Sequence, residues 1–150
     1  MTEYERASDT IIKTKWARKP LVAAFAYWAV VFAAGFILGT LRVLALAPRL
    51  GEVAAVTLEI PLMLAVSWVA SRGVCRRFAV PARLTPRILM GGVAFALLII
   101  AEAALSVYAF GRTAGEWAGF LGTPAGLLGL AGQVGFAMIP AVQAALRPET

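Results

Sequence analysis

The fold is decided by the stretch LVAAFAYWAVVFAAGFILGTLRVLALAPRLGEVAAVTLEIPLMLAVSWVA, residues 21–70. It holds two apolar runs, residues 21–47 and 53–70, separated by a segment with the turn-forming residues Pro48 and Gly51. A helix needs about 20 apolar residues to cross a bilayer. The stretch therefore predicts two transmembrane helices joined by a tight turn.

Two further apolar runs, residues 88–110 and 126–146, follow the same pattern. Of the 150 residues, 61% are hydrophobic and 15% are charged, and the mean hydropathy is +0.81. We predict an all-α, four-transmembrane-helix bundle made of two antiparallel hairpins. Residues 1–19 form a polar tail whose second half is typical of an interfacial helix. This tail, the loops and residues 148–150 are too short for a separate domain.

The basic residues indicate the orientation of the spans. Eleven of the 14 Lys and Arg residues fall in the N-terminal tail, the loop between the second and third spans, or just after the last span. By the positive-inside rule, both termini and the middle loop are cytoplasmic. Basic residues beside spans, without interleaved aromatic residues, are typical of topology signals or contacts to anionic lipid, so no nucleic-acid partner is expected.

Each predicted span contains one polar residue at a similar depth. At 1.5 Å per residue, Arg42 lies about 9 Å and Glu59 about 10 Å from the turn that joins their helices, while Glu102 and Gln133 lie about 12 Å and 13 Å from the ends of theirs. An ionisable group near the bilayer centre costs about 2.5–3.5 kcal/mol. We therefore expect all four side chains to face the inside of the bundle, with an ion pair between Arg42 and Glu59.

This polar cluster has two possible roles. It is either a closed hydrogen-bonded network that fixes helix register, or a proton or substrate site reached from the outer face. Arg42 neutralises only one carboxylate, so we expect Glu59 or Glu102 to hold a proton, or the two to share one. Pro61 and Pro140 each remove a helical hydrogen bond and leave a backbone carbonyl, of Thr57 and Phe136, in need of another donor.

Small and aromatic residues predict where helices touch. Gly35 and Gly39 have the four-residue spacing that lets two helices approach closely, and Gly126 and Gly129 do the same in the fourth span. Tyr27, Trp28 and Trp68 are expected to form lateral packing surfaces.

The residues of common catalytic and cofactor sites are scarce. There is no histidine, and the single cysteine, Cys75, is predicted to lie in the cytoplasmic loop among arginines. We expect no metal site, no cofactor and no enzymatic activity, since no nucleophile or phosphate-binding glycine loop accompanies the carboxylates.

The segment GFILGTLRVLALAPRLGEVAAVTLEIPLMLAVSWVASR, followed by FGRTAGEW and TPAGLLGLAGQ, resembles an uncharacterised family of short four-span bacterial inner-membrane proteins. Its most distinctive residues are Gly39, Thr40, Arg42, Glu59 and Pro61. The resemblance implies a multi-pass protein of the bacterial inner (cytoplasmic) membrane and carries no activity, cofactor or substrate.

Two functions are open on this basis. The first is a non-enzymatic protein that acts through helix-helix contacts, as an accessory or assembly subunit of a membrane complex or as a homo-oligomer. The second is a small proton-coupled transporter or channel that uses the Arg42, Glu59 and Glu102 cluster, and it would need a dimer because four helices rarely enclose a pathway.

Overall fold

The computed structural model describes residues 3–146, and it describes side chains from residue 18 onward. The predicted tail 148–150 and Arg147 lie outside this range. The elements in chain order are α1 (Glu3–Leu41), a π-helical turn (Arg42–Leu46), α2 (Ala47–Leu50), α3 (Glu52–Arg77), α4 (Leu84–Tyr108), α5 (Ala114–Leu121) and α6 (Pro124–Ala145). The described part of the chain has no strand, in agreement with the predicted all-α class.

Four helical segments are long and apolar enough to cross a membrane, as predicted: Arg18–Leu50, Glu52–Arg77, Leu84–Tyr108 and Pro124–Ala145. These helical segments are longer than the apolar runs of the prediction, because most of them continue into polar and basic residues at their ends. The backbone of residues 3–17, predicted as a separate polar tail, is helical and continuous with α1. Many large apolar side chains are exposed on the outside of the helices, as a bilayer would require.

The four long helices form a ring. Helices α1 and α6 each pack against both α3 and α4, so α1 lies diagonally opposite α6, and α3 lies diagonally opposite α4. The short helix α5 packs against α4 and α6. This arrangement places side chains from all four long helices around one central axis.

The first connection is tighter than the sequence suggests. Pro48 lies inside α2, and Gly51, with φ +80°, makes the turn into α3. Glycine is suited to this position because it adopts positive φ without steric cost. Before α2 the helix widens at Arg42–Leu46, where the Ala47 N–H donates to the carbonyl of Arg42, five residues back. Such π-helical turns occur frequently at functional sites.

Helix α3 ends in a Schellman motif at residues 75–80. The Val80 N–H donates to the Cys75 carbonyl at 3.0 Å, and the Ala79 N–H donates to the Arg76 carbonyl at 3.3 Å. This motif needs a left-handed residue, and Ala79 occupies that position with φ 48°. Because α3 continues to Arg77, Cys75 lies buried inside the helix, and its predicted location in the loop is wrong.

The helices α5 and α6 each begin at a capping threonine. Thr113 and Glu116 form a capping box at the start of α5, in which each side chain accepts a hydrogen bond from the other residue's backbone N–H. The Thr123 hydroxyl accepts from the Gly126 N–H at 3.1 Å and caps α6. The Gly-rich segment predicted as a connection is thus a short, well-defined helix.

The two ends of the ring are packed differently. We call the end at residues 78–83 the loop end, and the other the α5 end. The core lies toward the loop end and includes Tyr27, Met90 and Ala94, which are completely buried. There α4 and α6 approach so closely that a Cβ on Gly91 would overlap the Ala137 carbonyl oxygen. The α5 end is not filled in this way.

Candidate functional site: a charged cavity at the α5 end

A cavity of about 540 Å³ lies between the four long helices at the α5 end. Toward the core, the last lining residue on each helix is Val31, Ser67, Leu98 or Phe136, all of them buried. We call these four residues the floor. Trp117 and other apolar side chains of α5 also line the cavity. Its volume is in the range of small-molecule sites in proteins, which is about 300–1,000 Å³.

Arg42 and Glu59 meet in this cavity. Arg42 Nε lies 2.6 Å from Glu59 Oε2, with side-chain exposures of 22% and 17%. The two residues form a close ion pair, in which the carboxylate of Glu59 is the partner of Arg42 Nε. The pairing follows from the tight Gly51 connection, which brings the end of the first span level with the start of α3.

Glu102 and Gln133 form a second pair on the other side of the cavity. Gln133 Nε2 donates to Glu102 Oε2 at 2.6 Å, which joins α4 to α6. All four residues of the predicted cluster therefore line one cavity. The protonation state of Glu59 and Glu102 stays a prediction.

One polar atom in the cavity wall lacks a partner among the described residues. Gln133 Oε1 is buried and accepts no hydrogen bond. Arg42 Nε is in the ion pair with Glu59, and the Ser67 hydroxyl interacts with Tyr27. A buried polar group without a partner costs about 1–3 kcal/mol. Gln133 Oε1 is therefore an acceptor that a donor group of a ligand in the cavity would satisfy.

The four glycines predicted to pack helices have different surroundings. A Cβ on Gly35 would meet Met63 Cε at 3.2 Å, and one on Gly126 would overlap the Phe120 carbonyl oxygen. A Cβ on Gly39 would have only Glu59 Oε1, at 4.0 Å, as a neighbour, and one on Gly129 would meet nothing within 4 Å. All four glycines line the cavity. Gly39 and Gly129 thus leave space beside the charged groups.

The closest helix contact that depends on a glycine is one that the sequence reasoning missed. Gly91 sits in the pair GlyGly at residues 91–92, and only Gly91 faces α6; a Cβ on Gly92 would meet nothing within 4 Å. Gly135 is also close to a neighbour, since a Cβ there would lie 2.9 Å from Leu64 Cδ2. A glycine count cannot distinguish these positions, because the distinction depends on how the helices are rotated.

A second polar group, buried in the core below the floor, was also missed. Gln143 accepts from the Ser71 hydroxyl at 2.9 Å and donates to the Trp68 carbonyl at 2.8 Å, linking α6 to α3. Tyr27 was expected on a lateral surface, but it is completely buried and its hydroxyl donates to the Phe136 carbonyl at 2.9 Å.

The Tyr27 contact explains the role of Pro140. Pro140 removes the helical donor to the Phe136 carbonyl, and the Tyr27 hydroxyl supplies another across the diagonal of the ring. The rings of Tyr27 and Phe136 also stack, with centroids 4.6 Å apart. The sequence identified the carbonyl that needs a donor, but it could not identify which residue provides it.

The described side chains contain no group of three or more His, Cys, Asp or Glu residues placed to hold a metal ion. Cys75 lies against Met90, with the two sulfur atoms 3.6 Å apart. The ionisable and amide groups that line the charged cavity are two guanidinium groups, three carboxyl groups and the amide of Gln133, among mostly apolar side chains.

Together, the fold and the site define an all-helical chain with four candidate membrane spans and a charged cavity between them. Comparison with protein-family models, curated proteins and solved structures finds no significant match. The resemblance to a family of short four-span bacterial proteins accordingly stays a prediction.

Proposed function

We propose that this chain is a small proton-coupled transporter of the membrane, which binds a lipophilic molecule in the charged cavity. The observation that carries the proposal is the convergence of Arg42, Glu59, Glu102 and Gln133 on one space of about 540 Å³ between the long helices. Within this group the buried Gln133 Oε1 has no hydrogen-bond partner. Glu59 and Glu102 are the groups proposed to exchange protons.

The chemistry of the walls favours a particular class of substrate. The cavity lining carries three carboxyl groups, of Glu52, Glu59 and Glu102, against two guanidinium groups, of Arg42 and Arg112. The Gln133 Oε1 without a partner accepts hydrogen bonds. Aromatic and aliphatic side chains, among them Phe32, Phe36 and Leu130, make up most of the remaining lining. A lipophilic amine fits both features, since its N–H groups are donors, its charge is positive and its body is apolar.

The orientation belongs to the same proposal. The distribution of basic residues supports both termini and the loop end in the cytoplasm, with α5 on the outer face of a bacterial inner membrane and two antiparallel hairpins. The cavity would then open toward the outside, and the packed floor would separate it from the cytoplasm. Passage of a substrate would require the floor residues to separate, within one chain or at a dimer interface.

Binding is tested by thermal unfolding of the purified protein in mild detergent. A lipophilic amine should raise the unfolding midpoint, and its acid analogue of similar size should not. Glu102→Gln should abolish the effect, while Arg77→Gln, at an exposed position at the loop end that does not line the cavity, should preserve it. Equal stabilisation by the amine and the acid would contradict the proposed substrate class.

Transport is tested in proteoliposomes with a pH-sensitive dye inside. Addition of the amine should change the internal pH in vesicles with the parent protein, and Glu59→Gln or Glu102→Gln should abolish the signal in folded protein. If both variants only lower the unfolding midpoint while the proton signal persists, the cluster is structural and the transporter proposal fails.

The hypothesis of an accessory or assembly subunit stays a prediction. Its support is the large set of exposed apolar side chains, including Ile37, Leu44 and Val69, which suit a partner helix as well as lipid. Gentle purification from the native membrane tests it: a stoichiometric partner is expected if the protein is a subunit, and a protein that purifies alone would rule against it.

A further inference from the structure

A second, smaller cavity of about 190 Å³ lies at the loop end, far along the helices from the charged cavity. Its walls come from the end of α3, the loop 78–83, the start of α4 and the end of α6. Three of the residues that line it are arginines, Arg72 and Arg76 on α3 and Arg87 on α4. None of the lining residues is acidic.

Arg87 is unusual because its guanidinium is buried without a carboxylate. The residue is only 4% exposed. Its Nε donates to the Pro81 carbonyl at 3.1 Å and its Nη2 to the Val80 carbonyl at 3.2 Å. Arginine has five N–H donors, so three are not used in these bonds. Among the described side chains the one ion pair is that of Arg42 and Glu59, at the other end of the ring.

The described parts of the helices around this cavity offer no acid to neutralise it. Residues 60–101, which contain all three arginines, include no Asp or Glu, and neither do residues 117–146, the described part of the chain that contains α6. A buried positive charge is costly unless it is paired. The buried Arg87 and the two exposed arginines beside it therefore form a site with excess positive charge and spare donors.

The neighbouring groups hold this site in a fixed shape. Gln143, in the wall, is fixed by its bonds to Ser71 and the Trp68 carbonyl. The loop is held by the Schellman motif and by the two bonds from Arg87 itself. Buried hydrogen bonds thus fix most of the cavity wall. The exposed side chains of Arg72 and Arg76 form the rest of it.

We propose that Arg72, Arg76 and Arg87 form a binding site for a phosphate group, carried by an anionic lipid or by a soluble phosphate compound. Guanidinium groups bind phosphate through paired, charge-assisted hydrogen bonds. Since a water molecule takes about 30 Å³ in the liquid, the cavity has room for a phosphate group and part of the group attached to it. The apolar side chains of Leu84, Ile88 and Leu146 are exposed at this end, where a lipid's acyl chains would lie.

The test uses the full chain in detergent and two probes, short-chain phosphatidylglycerol and inorganic phosphate, with short-chain phosphatidylcholine as the reference lipid. Binding is measured by calorimetry at physiological ionic strength. Arg72→Gln with Arg76→Gln should weaken binding about tenfold or more, since loss of 1.4 kcal/mol is tenfold in affinity. Both positions are exposed, so the double variant should keep its fold.

The matched control is Arg77→Gln with Arg83→Gln. It removes the same charge from exposed residues at the same end that do not line the cavity, and it should change affinity less than about threefold, because loosely placed surface charges contribute little. Binding of phosphatidylglycerol but not phosphate assigns the site to lipid, and binding of both assigns it to the phosphate group alone. No binding of either probe, or equal losses in the two double variants, would overturn the proposal.

Discussion

The hydrogen bond between Tyr27 and the Phe136 carbonyl makes a sharp prediction, because the Tyr27 hydroxyl takes the place of the backbone N–H that Pro140 lacks. Tyr27→Phe keeps the stacked ring and removes only the hydroxyl. The carbonyl is then left in the core with no donor, since Pro140 has no N–H. An unsatisfied buried acceptor costs about 1–3 kcal/mol, and hydrogen bonds between membrane helices average about 0.6 and reach about 1.7 kcal/mol. We expect a loss of about 1–2 kcal/mol.

The same substitution should cost much less when Pro140 is replaced. Pro140→Ala supplies a backbone N–H that can donate to the Phe136 carbonyl within α6, so the hydroxyl of Tyr27 is no longer needed. In this background Tyr27→Phe should cost no more than about 0.5 kcal/mol, and the packing defect caused by Pro140→Ala cancels in the double-mutant cycle. The coupling energy isolates the exchange of donors at one carbonyl.

The assay is reversible unfolding by a denaturing detergent in mixed micelles, followed by circular dichroism. Tyr108→Phe is the control, because Tyr108 is 88% exposed and loss of its hydroxyl should change stability by less than about 0.5 kcal/mol. A cost for Tyr27→Phe that is the same with Pro140 and with Ala at position 140 would refute the reasoning, as would a comparable loss for Tyr108→Phe.

Three further predictions concern separate parts of the fold. Gly91→Ala should cost about 1–3 kcal/mol by overpacking against α6, whereas Gly92→Ala, with open space around it, should not destabilise; equal effects in thermal unfolding would show that α4 and α6 are farther apart than described. Ala79→Gly should stabilise by about 0.5–1 kcal/mol by releasing a left-handed alanine, and no gain in the same assay would contradict that geometry. Hydrogen bonds from the backbone N–H and hydroxyl of Thr113 hold the pKa of Glu116 below its ordinary value, so the carboxylate should stabilise α5 above the ordinary carboxyl pKa and lose this effect as pH falls through the lowered one. The ¹³Cα shifts of α5 in micelles should report this titration, and persistence of the titration in Glu116→Gln would assign it to another group.

The broad architecture could be predicted because it depends on the length and apolarity of single segments. The similar depth of Arg42 and Glu59 could also be estimated. The connection between their helices is short and the rise per residue is fixed, so the two residues can lie at few other relative heights. The π-helical turn that begins at Arg42 could not be predicted, because no residue in its sequence RVLAL distinguishes it from an ordinary helical turn.

Other features depend on how helices are rotated and on where they end, and these are set by tertiary contacts. Tyr27 is aromatic and lies in an apolar run, so nothing local separates a core position from a lateral one. Cys75 was placed in a loop because arginines surround it, yet no proline occurs between Pro61 and Pro81, and α3 continues past Cys75 to Arg77. Gly91 and Gly92 are identical in sequence terms and opposite in their surroundings.

The unequal packing of the ring has a mechanical consequence. The side-chain contacts that join diagonally opposite helices, Tyr27 with Phe136 and Cys75 with Met90, both lie toward the loop end. At the other end the diagonally opposite helices face each other across the charged cavity. Separation of the diagonal helices there would break neither of these two contacts, whereas separation at the loop end would break both and disrupt the best-packed layer of the molecule.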